Sequence, residues 1–197
     1  MKDTMDNTLR HLLTGFRYTI VSVVFFGLLY PFVMTGLAQL IFPYQANGSM
    51  IAVNGKTVGS EIIGQLWTKP QYFHGRLSAA GAKGYDPTST GGTNYGPTSA
   101  KLLANTAAAV KEVIKENPDA TGPVPADLVS SSASGIDPEI SPAAAYFQVA
   151  RVAKARHLSR DTVRALVDKY TRGRDLGFLG EPRVNVLELN LALDANS

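Results

Sequence analysis

Tyr18-Thr-Ile-Val-Ser-Val-Val-Phe-Phe-Gly-Leu-Leu-Tyr-Pro-Phe-Val-Met-Thr-Gly-Leu-Ala-Gln-Leu-Ile-Phe42 is an almost unbroken apolar run, and no charged residue lies between Arg17 and Lys56. About 20 residues of helix span a hydrocarbon core of about 30 Å, so this run is slightly longer than a crossing needs. A cleavable signal peptide has a shorter apolar stretch followed by small residues. Here Pro43, Tyr44 and Gln45 follow, which make a poor cleavage site. A core helix of a soluble protein is rarely apolar on every face for this length. The run therefore predicts one transmembrane helix over residues 18–42. Pro31 sits in its middle and removes one backbone donor; Thr35 or a neighbouring helix could satisfy the freed carbonyl.

Basic residues near the ends of a span set its direction. Lys2, Arg10 and Arg17 precede the run, and the next basic residue after it is Lys56. Residues 1–17 are expected as a cytoplasmic tail and residues 43–197 as one extracytoplasmic domain, in the inner membrane of a bacterium. Tyr18 and Tyr44 are placed like interfacial anchors. Helices associate in lipid through close backbone approach or polar contacts. Thr19, Ser22, Gly27 and Gly36, with Thr35 and Gln39, could supply them, although the spacing is not a clean small-xxx-small pattern.

The domain is long enough to bury a core. With a net charge of +3 and no basic block, nucleic acid is not an expected partner. No cysteine is present, which excludes disulfides, thiolate metal sites and thiol nucleophiles. Asn54-Gly55 between two β-prone runs predicts a type I′ hairpin. Residues 69–97 are rich in Gly, Pro, Ser and Thr, yet Tyr72, Phe73, Tyr85 and Tyr95 argue for an ordered loop system. A helix is expected from Thr98, with Pro97 in its first turn and Asn117-Pro118 at its end; Leu102, Leu103, Thr106, Val110, Val113 and Ile114 would form its apolar face. Residues 119–135 read as another loop. Ser141-Pro142 opens a second helix and Ser159 caps a third, ended by Gly173 and Gly177. Residues 184–193 alternate like a strand but also suit a short helix capped by Asn185. The fold class is α+β: a membrane helix plus a domain with a hairpin, three helices and long loops.

Four constellations bear on chemistry. Gly91, Gly92, Thr93 and Asn94 lead toward a helix N-terminus, where backbone N–H groups could hold a phosphate; a tight turn is the competing reading, and the Walker lysine is missing. His74, Ser78 and Asp86 could be assembled into a hydrolytic set, but the spacing specifies no geometry, and a histidine bonded to loop backbone is favoured. The three histidines His11, His74 and His157 have no metal-ligand spacing. Arg151, Lys154, Arg156, Arg160, Arg164, Lys169, Arg172 and Arg174 make the later helices basic. They read as a solvated face paired locally with Asp161 and Asp168, or as a contact for lipid head groups or a partner.

The ordered set Gly59-Ser-Glu-Ile-Ile-Gly-Gln65, Tyr72-Phe-His-Gly-Arg76, Tyr85-Asp86, Gly91-Gly-Thr-Asn-Tyr-Gly-Pro97, Pro123-Val-Pro-Ala-Asp-Leu128, Ser134-Gly-Ile-Asp-Pro138, Ser141-Pro-Ala-Ala-Ala145 and Gly177-Phe-Leu-Gly-Glu-Pro-Arg-Val-Asn-Val-Leu-Glu-Leu-Asn190 closely resembles the C subunit of the Kdp-type high-affinity potassium-transporting ATPase. The resemblance runs from the membrane helix to the C-terminus. Thr90 and Thr93 stand where the family often has serines. It implies an ATP-driven potassium uptake complex with two partners, a channel-like translocating subunit and a P-type ATPase subunit phosphorylated on aspartate. This chain would be the non-catalytic, single-span accessory; it has no Asp-Lys-Thr-Gly motif. The family is also described as a catalytic chaperone that raises the ATP affinity of the ATPase subunit. The expected topology weighs against ATP as a cofactor here, since it places Gly91–Asn94 outside the cytoplasm, where ATP is scarce.

Overall fold

The computed structural model describes residues 2–196, with side chains from residue 7 onward. Met1, Ser197 and the Lys2 side chain, used above for orientation and domain limits, lie outside the described residues. The chain divides after Ser49 into two compact units.

The first unit is helical: α1 (Lys2–Ser22), a π-helical segment (Val23–Leu29), α2 (Tyr30–Ile41) and a single turn, α3 (Pro43–Ala46). From Asn7 to Ile41 it is long and apolar enough to cross a membrane, and none of its apolar window is buried. The wide turns directly precede Pro31. Their last bond runs from the Tyr30 N–H to the Phe25 carbonyl, five residues back, so the helix makes room for the ring by widening. The side-chain rescue expected of Thr35 is not seen: among the described residues its hydroxyl makes no hydrogen bond. After α3, Gln39 and Asn47 exchange amide hydrogen bonds, and the Tyr44 hydroxyl donates to the Ser49 carbonyl at 3.2 Å.

The second unit is α+β. Strands β1 (Met50–Val53) and β2 (Lys56–Ser60) form the expected hairpin. Asn54 and Gly55 both have positive φ (51° and 76°), as a type I′ turn requires. Helix α4 (Ala100–Glu116) follows, then the short α5 (Ala126–Val129), β3 (Glu139–Ile140), α6 (Pro142–Arg156), α7 (Arg160–Tyr170), β4 (Thr171–Arg172), β5 (Arg183–Asn185) and α8 (Val186–Ala195). The second sheet is antiparallel, in the order β3-β5-β4.

Ser141 and Ser159 cap α6 and α7 by accepting from the Ala144 and Thr162 amides. Several expectations need correction. Helix α4 starts at Ala100 with Ser99 as its cap, so Pro97 lies outside it. Leu103 and Ile114 point to solvent; the inward face is Leu102, Thr106, Ala109, Val110 and Val113. Helix α7 ends at Tyr170, ahead of both glycines, because the chain turns into β4. Residues 184–193 are a strand end followed by a helix, joined at Asn185, whose side chain caps α8 through the Glu188 amide at 3.1 Å. The core gathers on α6, α7, α8 and β5: Ala144, Val152, Val163, Val167, Val184, Leu189 and Leu193 are fully enclosed, with Phe73 from the long loop inserted among them.

Candidate functional site

Residues 70–76 lie against α6 and α8 and are gripped by side chains. Phe73 is completely buried. Its N–H donates to Asn190 Oδ1 at 2.8 Å, and Asn190 Nδ2 donates back to its carbonyl at 3.0 Å. The next residue repeats the pattern: the His74 N–H donates to Gln148 Oε1 at 2.8 Å, and Gln148 Nε2 returns a bond to the His74 carbonyl at 3.1 Å. Two amide side chains thus supply the ladder that a neighbouring strand would give. Both are buried, where an unpaired backbone group costs about 1–3 kcal/mol.

Arg151 completes the grip. Its guanidinium donates to the Pro70 and Tyr72 carbonyls (2.7 and 2.9 Å), to Asn117 Oδ1 (3.0 Å) and to Gln148 Oε1 (2.6 Å). Loss of water pulls its pKa down to about 10, with Glu116 nearby opposing the shift; it is still a cation at neutral pH. Among the described residues, none of its hydrogen bonds goes to a carboxylate. Arg156 donates to the Gln71 carbonyl (2.7 Å) and to Asp194 (2.6 Å), with its guanidinium over the Tyr72 ring. The solvated basic face expected here is therefore wrong for Arg151 and Arg156. Asp168 does accept a hydrogen bond, but from the Tyr146 hydroxyl.

The His74 ring bridges the Lys69 carbonyl (3.1 Å) and Glu116 (3.3 Å). Burial, and next the positive charge of Arg151, pull its pKa down, while the Lys69 carbonyl and Glu116 oppose the shift; in its neutral form the ring has one N–H and donates to only one of these two acceptors. Ser78 donates to the Gly135 carbonyl and accepts from the Ala80 and Tyr85 amides. Asp86 accepts from Thr88. The structure does not join His74, Ser78 and Asp86 by hydrogen bonds.

Gly91 and Gly92 pack backbone to backbone on residues 132–134, while Thr93 and Asn94 are exposed. The Gly91 N–H donates to the Ser134 carbonyl at 2.8 Å. A methyl group on Gly92 would stand 3.1–3.3 Å from Ala133 and Ser132 backbone atoms. Thr93 Oγ1 lies 3.3 Å from Ser131 Oγ, and Asn94 has φ 52°. In the membrane-type helix, the Thr19 hydroxyl donates to the Gly15 carbonyl at 2.9 Å, while Gly27 and Gly36 leave open backbone surface.

These contacts draw together motifs far apart in sequence. Gly64 donates to Ile136, and a methyl group there would collide with the Asp137 carbonyl at 2.4 Å. Arg76 pairs with Asp137 at 3.1 Å. The Tyr85 hydroxyl donates to the Arg76 carbonyl at 2.6 Å, and burial, then the charge of Asp137, push its pKa up to about 12. Sequence reasoning missed Gln148 altogether, and missed that Asn117, Arg151 and Asn190 hold this loop. The available signal was a polar residue at an inward position of a helix, Gln148 and Arg151 on α6 and Asn190 on α8, and at the end of one, Asn117 after α4.

Residues 12–195 match the family model described as "KdpC: K+-transporting ATPase, c chain". Three similar curated proteins each carry the name potassium-transporting ATPase KdpC subunit. That of Koribacter versatilis is 52% identical over 94% of this chain and 94% of its own. That of Gemmatimonas aurantiaca is 53% identical over 96% and 94% respectively. That of Myxococcus xanthus is 55% identical over 92% and 86%. With the match covering nearly the whole chain, helix and domain together, this protein belongs to the KdpC family, the c chain of the K+-transporting ATPase.

Proposed function

We propose that this chain is a non-catalytic accessory subunit that stabilises assembly of an ATP-driven potassium uptake complex and tunes its ATPase subunit. Helix residues 18–42 anchor it in the bacterial inner membrane, with residues 1–17 in the cytoplasm and residues 43–197 outside. Its partners are the channel-like translocating subunit and the P-type ATPase subunit. The observation that carries this reading is the unburied apolar helix, Asn7–Ile41, in a chain of this family. Such a helix is stable only in lipid or against other helices. The basic residues Arg10 and Arg17 before it support the orientation.

The domain's polar side chains support a structural role, because they hold its own loops. The rival reading, in which Gly91, Gly92, Thr93 and Asn94 bind ATP, needs backbone donors, and the Gly91 N–H already serves Ser134. Deleting residues 1–42 should abolish recovery of the pump subunits with a tag on this chain. Full assembly and potassium uptake without the helix would overturn the proposal. A periplasm-specific reporter fused after Ser197 should be active. Labelling of the isolated domain by a photoreactive ATP analogue, lost on replacing Gly91 and Gly92, would favour the rival.

A further inference from the structure

The π-helical turns before Pro31 deprive one carbonyl in the middle of the span of its usual donors. A helical carbonyl receives its bond from the residue four or five places on. For Phe26 these are Tyr30 and Pro31. The Tyr30 N–H is engaged with the Phe25 carbonyl, and proline has no N–H. Among the described residues, no side chain donates to the Phe26 carbonyl either. In water this would matter little. In hydrocarbon an unsatisfied backbone group costs several kcal/mol, because lipid tails donate nothing.

The residue after this carbonyl carries no side chain. It is Gly27, and a methyl group built there would meet only Val23 Cγ1, at 3.7 Å. Another backbone can therefore come close. Val24, Leu28, Leu29, Phe32 and Val33 line a shallow apolar groove instead, which lipid chains can fill. One face of the span thus asks for a donor and the other asks for none.

We propose that the Phe26 carbonyl, bared beside Gly27, is the docking point for a transmembrane helix of another pump subunit that presents a hydrogen-bond donor side chain at that depth. The occupant follows from complementarity of partial charge: an acceptor dipole in hydrocarbon needs a donor, and only a protein helix can carry one there. This rests on the reading of the helix as a membrane span.

The test uses the full chain co-expressed with the other pump subunits. Pro31→Ala restores the missing N–H, so the helix can satisfy its own carbonyl; Gly27→Leu blocks close approach. Each should lower recovery of the partner subunits in mild detergent about 3- to 20-fold, the range set by measured interhelical hydrogen bonds. Leu29→Phe, in the apolar groove, should leave recovery unchanged. Undiminished recovery with Pro31→Ala overturns the docking proposal. Because the chain has no cysteine, a Gly27→Cys variant carrying a benzophenone label gives a second measurement. Its cross-link should fall on a partner helix within one turn of a Ser, Thr, Asn, Gln, Tyr or Trp; cross-links only to lipid or to a second copy of this chain overturn it. Carbonate extraction separates the two levels: release of the unmodified chain refutes the span and the docking point together, whereas retention with no effect of either variant refutes the docking point alone.

Discussion

In the N-terminal helix no part of the apolar window is buried, while in the C-terminal domain Phe73, Leu189 and Val163 are enclosed together with Gln148 and Asn190. The two regions treat polar groups in opposite ways. The helix satisfies nearly all of its backbone internally and leaves its side chains to whatever surrounds it. The domain uses buried polar side chains to satisfy backbone that its short strands cannot reach. A loop held like this is as specific as a strand, since every partner must be present at once. The lesson is that apolar residues and polar residues have exchanged their usual places: the exposed unit is the greasy one, and the interior of the other depends on amides and an arginine.

The contrast can be broken most severely at Arg151. Arg151→Met keeps an unbranched apolar stem but removes four hydrogen bonds, two of them to the buried Asn117 and Gln148 side chains. A loss of about 3–5 kcal/mol is expected, measured by denaturant unfolding of residues 50–197. A loss below about 1 kcal/mol would mean that the core, not the grip, holds the loop. Asn190→Leu removes both bonds to Phe73 and orphans a buried N–H and carbonyl. The expected cost is about 2–4 kcal/mol, read by the same unfolding curves. Gly55→Ala sharpens the comparison from outside the core. Its φ is 76° and the added methyl group meets open space, so only backbone strain is added, about 1 kcal/mol.

The subtlest effect is a slope with pH. The folded-state pKa of His74 lies below that of the unfolded chain. As pH falls through the unfolded value near 6.5, the unfolded state takes the proton first. Stability attached to the neutral ring is therefore present above that pH and lost below it, down to the lowered folded pKa. His74→Gln should flatten this acid-side loss in unfolding free energies measured from pH 7 to pH 5. An unchanged slope would show that the ring is not the group responsible.

Local chemistry made several elements legible before any tertiary contact was known. The apolar run, Asn54-Gly55, and the caps Ser141 and Ser159 each act within a few residues. The family motifs were legible as well, although their physical role was not. Helix α8 stayed undecided between strand and helix in the sequence because it is buried on several sides: Val186, Leu187, Leu189, Asn190, Ala192 and Leu193 are all covered. A helix enclosed in this way loses the one-sided stripe that periodicity detects. Leu103 and Ile114 misled in the opposite sense, since apolar residues on α4 were assumed to face inward.

What the sequence determined by itself is whatever depends on neighbours along the chain: a membrane-length apolar segment, a tight turn, helix starts, and the absence of thiol chemistry. What only the tertiary structure decided is which polar residues are inside. Arg151 and Arg160 look alike in the sequence, yet one is buried among loop carbonyls and the other is exposed. That difference comes from contacts spanning dozens of residues, such as Arg151 to Pro70 and Asn190 to Phe73. Such pairings become visible only once α6 and α8 fold against the loop, because a donor and an acceptor brought together by packing leave no regular spacing behind.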